Sequence, residues 1–292
     1  VSIINQKFKF RLGLFLFELK IKHYFCGMVK TISSLQNPFI KQLVQLKEKS
    51  KLRKQTGLFV IEGKRELSLA IKSNYNIETL YYYANLFSAS EAASLETYGI
   101  DVIEITKAVY EKVAHRETTE GIIAVAKTRD LSLKNLDLKT KKPLILVAEA
   151  PEKPGNIGAL LRTADAANID AIIIANPLTD LYNPNIIRSS VGGVFTVPIA
   201  MGTSEEVIAY LKKQDISIYA ATLQDSVAYD SINFINASAI VVGTESAGLS
   251  QIWRDASTTN IQIPMQGKID SMNVSVAAGI LVFEAKRQRK SS

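Results

Sequence analysis

The run LILVAEA at 144–150 constrains the fold of this chain more than any other stretch. It carries one charge, at Glu149, so a strand made from it needs cover on both faces. A proline-glycine turn follows, and then a helical spacing. In PGNIGALLRTADA (154–166), with Ala167 after it, Ile157, Leu160, Leu161, Ala164 and Ala167 fall on one face. Arg162 sits on the other side among Gly158, Ala159 and Ala166 rather than among solvated charges. A doubly buried strand feeding an amphipathic helix is the building unit of a parallel α/β sheet.

The unit recurs. AIIIA (171–175), VFTVPIA (194–200), ISIYAAT (216–222), AIVVG (239–243) and IQIP (261–264) read as strands, with helices between most of them. SMNVSVAAGILVFEAKRQRK (271–290) reads as a long closing helix. Upstream lies a smaller α/β set. It opens with a basic helix over 37–55, whose apolar side carries Ile40, Leu43, Val44 and Leu46. Strands are expected at 57–63, 77–84, 101–105 and 121–127, and helices at 64–73, 88–99 and near 106–114. LSLKNLDLKTKKP (131–143) has no firm period and ends in lysines before a proline, the mark of a linker. The expected organisation is an extension over 1–27, a domain over 28–129, a linker over 130–142 and a larger domain over 143–292.

Composition narrows the function. A chain of 292 residues that is 47% hydrophobic is globular, and a net charge of +7 favours a polyanionic partner, nucleic acid above an anionic membrane. The single cysteine, Cys26, excludes an internal disulfide and a zinc-thiolate cluster, and the two histidines, His23 and His115, exclude a His-rich metal site. No metal is expected. Residues 1–27 are basic and apolar, but their uncharged core LGLFLF (12–17) is too short to span a bilayer. They read as an extension outside the functional fold; an amphipathic membrane-surface segment is the competing reading. A cytoplasmic location, away from membranes, is the expectation.

Three stretches are over-specified for packing: PGNIGALLRTADA, NIIRSSVGGVFTVPI (185–199), and GTESAGLS (243–250) with IPMQGKIDSMNVSVAAG (263–279). Each has a plain alternative. A glycine turn after a strand is ordinary α/β architecture, Ser-x-Asn before an apolar helix is an N-cap pattern, and Arg188 suits a surface ion pair. Neither G-x-G-x-x-G after the first strand nor G-x-x-x-x-G-K-[ST] is present, which disfavours a dinucleotide enzyme.

Taken together and in order, these stretches resemble the SpoU (TrmH-like) RNA ribose 2′-O-methyltransferases of the SPOUT class. The family's Pro-Gly-Asn-Ile-Gly turn with Arg-Thr-Ala stands as PGNIGALLRTADA, and its Arg-x-Ser-x-Gly motif before a strand ending in Pro as RSSVGGVFTVP. Its third motif stands as GTESAGL, IPMQG and SMNVS, with Met272 in place of leucine. Lys153 stands where members commonly carry an acid. The upstream segments SSLQNPFIKQLVQL (33–46), GLFVIEGKRE (57–66) and EGIIAVAK (120–127) resemble, more loosely, the L30e-like α/β/α substrate-binding module that precedes many such domains.

The resemblance implies a C-terminal α/β domain with a mainly parallel sheet and a deep trefoil knot. It implies an S-adenosylmethionine pocket contacted by Leu223, Gly243, Ile263, Met265 and Met272. It assigns Asn156, Arg162, Glu245, Ser271 and Asn273 to the catalytic site, and a homodimer joined through the knotted domain. The reaction would be methylation of a ribose 2′-hydroxyl, with 23S rRNA favoured over tRNA. A non-catalytic RNA-binding or ribosome-assembly factor on the same fold, and a base methylase, are the rivals. For RNA contact, Lys41, Lys47, Lys49, Lys51, Arg53 and Lys54 set six cations against Glu48 alone, and Arg188 adds another.

Overall fold

In the computed structural model, residues 30–115, 120–244, 246–268 and 271–290 are described. Glu245 and the 1–27 segment lie outside them. Two sheets organise the chain. The first takes β1 (Lys30–Ile32), β2 (Leu58–Glu62), β3 (Ile77–Tyr82), β4 (Asp101–Ile105) and β5 (Ile122–Lys127), in the order β1-β4-β3-β5-β2. β1 and β3 run parallel to β4, and β5 runs antiparallel to both β3 and β2. Its helices are α1 (Pro38–Glu48), α2 (Ser50–Thr56), α3 (Lys64–Lys72), α4 (Ala89–Glu96) and α5 (Lys107–Val113).

The second sheet is parallel at every pairing. Its strands are β6 (Leu144–Glu149), β7 (Ala171–Ala175), β8 (Ile199–Gly202), β9 (Ser217–Ala221), β10 (Val227–Ala228), β11 (Ser238–Val242) and β12 (Thr259–Gln262). They stand in the order β10-β12-β9-β11-β6-β7-β8. Helices α6 (Pro154–Ala167), α7 (Pro184–Ser189), α8 (Gly193–Thr196), α9 (Ser204–Lys213), α10 (Gln251–Ala256) and α11 (Val274–Lys290) cover it. The expected cover on both faces is present. Leu144, Leu146 and Ala148 of β6 point into one apolar cluster, while Ile145 and Val147 point into another on the opposite face. Among the described residues no helix is long and apolar enough to cross a membrane.

Three elements differ from the sequence expectation, each for a local reason. The helix expected over 37–55 breaks at Lys49, which takes extended backbone angles. Arg53 Nη1 donates to the carbonyls of Leu46 and Lys47 (2.6 and 3.1 Å), supplying α1 with the carbonyl partners a helix end lacks. The strand expected at 194–200 is a helical turn, α8, followed by the short β8. Val191 and Gly192 turn the chain at positive φ (58° and 85°), and Pro198 bars the helix from continuing. The strand near 261–264 lies earlier, at β12, which leaves Ile263 free to face a cavity. β1 and β10 give no clear sequence signal because they are three and two residues long.

The segment 130–142 is not a bare tether. It makes a 3₁₀ turn at Leu133–Asn135, and Leu131 O accepts from the amide of Met201 (2.6 Å). Its leucines pack onto both apolar clusters of the second sheet. The two sheets also share a core. One continuous cluster runs from Phe59, Leu67 and Leu80 to Leu146, Leu160 and Phe195. At the join, the ring of Phe59 stacks on Tyr182 with centroids 4.3 Å apart, and Tyr75 meets Phe195 edge-on at 5.1 Å. The Tyr75 and Tyr182 hydroxyls lie 3.4 Å apart, and burial pushes the pKa of each upward.

Candidate active site

The ends of the parallel strands gather the candidate residues. Beyond the carboxyl ends of β9, β11 and β12 the chain leaves the sheet in three loops. With the start of α11 they enclose a cavity of about 320 Å³. Leu223 comes from the loop after β9, Gly243 from the loop after β11, Ile263 and Met265 from the loop after β12, and Ser271 and Met272 from the approach to α11. All five residues expected to hold the cofactor therefore line one space. Thr222, Gln224, Thr244 and Gln262 line it too. Thr244 falls inside GTESAGL, but Thr222, Gln224 and Gln262 have no motif signal, because only the folding of separate loops brings them together.

Gly243 is explained by close packing of backbone. A Cβ there would stand 2.2 Å from both the carbonyl carbon and oxygen of Gly248 and 2.4 Å from the Leu249 nitrogen. The loop is pinched at this point by paired bonds, Thr244 N to Gly248 O (3.0 Å) and Gly248 N to Thr244 O (3.1 Å). The glycine thus lets the loop close on itself, and the closed loop forms a wall of the cavity.

Asn156 and Asn273 meet from distant parts of the chain. Asn273 Nδ2 donates to Asn156 Oδ1 at 3.3 Å. Asn273 also caps α11, its Oδ1 accepting from the amide of Ser275 at 2.9 Å, so the N-cap reading of this motif holds for Asn273. Asn156 borders a small gap of about 20 Å³ whose other walls include Gly243, Thr244 and Val274, beside the larger cavity.

Arg162 lies apart. It is exposed on the outer side of α6 and lines neither space. Of the small residues around it, Gly158 has a partner inside the chain: a Cβ there would fall 2.6 Å from Ser189 Cβ and 2.7 Å from its carbonyl carbon. That glycine lets α7 press onto α6, so it does not serve to make room for Arg162. Gly155 and Gly279 face open space instead.

The expected RNA-contacting cations divide. Lys41, Lys49, Lys51 and Lys54 are exposed. Arg53 is not available to a phosphate. It is 3% exposed, and its guanidinium forks onto the carboxylate of Asp180 at 3.1 and 2.8 Å, joining α2 to the loop before α7. Lys47 is likewise occupied, pairing with Glu62 at 3.3 Å and with the carbonyl of Val113. Arg188 is exposed and bonds Asn185 at 3.0 Å. It lines a cleft of about 700 Å³ between the two sheets' helices, together with Arg65 and His115, which the sequence did not single out.

Comparison with known proteins identifies the family. Residues 143–283 match the SpoU rRNA Methylase family, and residues 37–124 match an MRM3-like substrate binding domain. The chain is 30% identical over 258 residues to the 23S rRNA (guanosine(2553)-2′-O)-methyltransferase RlmP of Bacillus subtilis, covering 88% of this chain and all of that one. An AdoMet-bound rRNA methyltransferase from Sinorhizobium meliloti superposes with a TM-score of 0.82 at 29% identity, over 89% of this chain and 98% of that one. The SpoU methyltransferase AviRb from Streptomyces viridochromogenes, in complex with the cofactor AdoMet, gives a TM-score of 0.80 at 26% identity, over 88% and 100% of the two chains. With ordered motifs, a shared parallel-sheet fold and a relative matched from end to end, the chain belongs to the SpoU rRNA methylase family.

Proposed function

We propose that this chain transfers the methyl group of S-adenosylmethionine to a ribose 2′-hydroxyl of structured RNA, with 23S rRNA favoured over tRNA as the substrate. The observation that carries this reading is the single cavity assembled by Leu223, Gly243, Ile263, Met265, Ser271 and Met272 from separate loops. The RlmP relative is named for this reaction on 23S rRNA. The cavity suits the cofactor: about 320 Å³ falls within the range of small-molecule sites. Leu223 leaves 56% of its surface open at the wall, an apolar exposure that an adenine ring would cover. When bound, S-adenosylmethionine supplies an electrophilic sulfonium methyl.

The protein's own part is to hold the ribose and ease loss of its proton. A guanidinium keeps its proton, so Arg162 acts as a clamp on the substrate phosphate and lowers the effective pKa of the hydroxyl by its charge. Glu245 or that phosphate would take the hydroxyl proton as the methyl passes from sulfur to the ribose oxygen, the sulfur–methyl bond breaking and neutral S-adenosylhomocysteine leaving. Asn156 and Asn273 fix the first turn of α6 against the start of α11. Exposed Lys41, Lys49, Lys51 and Lys54 track the RNA backbone, and Arg188 meets it in the cleft.

A homodimer completes the site in this reading. Arg162, Ala166, Val276 and Phe283 are exposed on the neighbouring helices α6 and α11, with 54% of Val276 and 51% of Phe283 open. A second copy seated there would bury the apolar pair and take advantage of open Gly155 and Gly279. The stretch after β12 would be the threaded part of the trefoil knot, consistent with α11 lying across β6 and β11 to reach α6. A cytoplasmic location is in keeping with ribosomal RNA as the substrate.

Mapping 2′-O-methyl groups lost from the RNA of a deletion strain, and restored by the purified protein with S-adenosylmethionine, tests the activity. Arg162→Ala is expected to abolish transfer while calorimetry shows unchanged cofactor affinity. Near-normal turnover in Arg162→Lys would remove the clamp. Absence of any S-adenosylmethionine binding would return the chain to a non-catalytic RNA-binding role.

A further inference from the structure

Glu149 ends the central strand β6 with its side chain buried, 5% exposed, and among the described residues its hydrogen bonds come from Ser204 and Ser250. Every partner it has is a neutral donor. Its Oε1 accepts from the hydroxyls of Ser250 (2.5 Å) and Ser204 (3.2 Å), and its Oε2 accepts from the Ser250 amide (2.8 Å). A buried carboxylate is costly unless it is fully bonded, and this one gathers donors from two further elements. Ser204 opens α9, and Ser250 is the N-cap of α10. The Ser204 hydroxyl in turn accepts from Trp253 Nε1 and Asn176 Nδ2, both at 2.9 Å.

Ser250 is also where the chain returns to regular structure after Gly243, Thr244, Ala247, Gly248 and Leu249, which form a wall of the cofactor cavity. The loop entrance is fixed by β11, and its neck by the Thr244–Gly248 pair. Its exit is fixed by Glu149 on Ser250, aided by Arg254 Nη1 on the Leu249 carbonyl (2.6 Å). We propose that Glu149 is a positioning residue for cofactor binding: it tethers the exit of this loop and so shapes the cavity wall before any ligand arrives. The proposal rests on the reading of that cavity as the S-adenosylmethionine site.

The chemistry demands an acceptor at every contact. In Glu149→Gln, an amide oxygen on the Ser250 amide would turn the NH₂ toward Ser204. That hydroxyl has both acceptor positions filled and only a proton to offer. The flipped amide would set NH₂ against the Ser250 N–H. Either orientation leaves two buried donors facing each other.

Two readouts test this, one without ligand. In the ligand-free protein, Glu149→Gln is expected to speed amide hydrogen exchange in 246–250 about tenfold, with β6 and β11 unchanged. Calorimetry with S-adenosylmethionine is expected to show a Kd raised about tenfold, with affinity for an RNA fragment unaltered. Ser250→Ala, which keeps its amide donor, should give a smaller rise, and the double variant should be no weaker than Glu149→Gln alone. Should Glu149→Gln fail to fold, Ser250→Ala carries both measurements by itself. Exchange and Kd within twofold of wild type overturn the tether, as does acceleration spread evenly over the sheet. Faster loop exchange in a protein that does not bind S-adenosylmethionine even as wild type would support the tether and overturn the cofactor reading.

Discussion

At the residue scale, glycines that look alike in the sequence do different work. Gly158 and Gly155 both belong to the first motif, yet one is locked against Ser189 and the other faces open space. Gly158→Ala is expected to cost about 1–3 kcal/mol, read from urea unfolding, because its Cβ would meet the Ser189 backbone as well as its side chain. Gly155→Ala should leave unfolding of the isolated chain nearly unchanged. The same distinction separates the cations. Arg53 and Lys54 are neighbours in one basic run, but only Arg53 is buried in an ion pair. Removing Arg53 strands Asp180, which is 11% exposed, so Arg53→Ala should cost about 3 kcal/mol, whereas Lys54→Ala should cost less than about 0.5 kcal/mol. The charge of Arg53 was legible in the sequence, but its partner, at a separation of 127 residues, was not.

At the element scale, periodicity located what local chemistry controls. The five apolar positions assigned to α6 are all buried, and the helix expected from 88 opens at Ser88, which forms a capping box with Glu91. It failed where a neighbouring element decided the outcome, as at Lys49, where Arg53 caps α1, and at 194–200. The surviving basic face is carried by Lys41, Lys49, Lys51 and Lys54. Replacing all four with alanine should weaken RNA binding and flatten its dependence on salt, because each lost phosphate contact removes a released counterion. Titration of an rRNA fragment at several salt concentrations checks this. The exposed face of α6 and α11 makes a separate prediction. For the proposed homodimer, Phe283→Asp should give monomer in sedimentation equilibrium and lower methyl transfer with it, while the monomer stays folded; wild-type protein that sediments as monomer overturns the dimer.

At the scale of the whole molecule, two sheets that the sequence presents as separate domains share one apolar cluster. Heat is therefore expected to unfold them in one transition, coincident by circular dichroism and calorimetry. Phe59→Ala, which empties a fully buried site in the first sheet stacked on Tyr182 of the second half, should lower stability by about 3–5 kcal/mol and keep that single transition. Two transitions would mean that the shared core does not couple the halves. The sequence by itself determined the parallel α/β architecture, the apolar faces and the three ordered motifs, since these depend on spacing along the chain and on turn chemistry. Only the tertiary structure decided that Gly243 closes a loop on itself, that Arg53 joins the halves and that Glu149 bonds Ser204 and Ser250. Each of these depends on groups far apart in sequence that meet only once the sheet has formed, and a distance through space leaves no period along the chain.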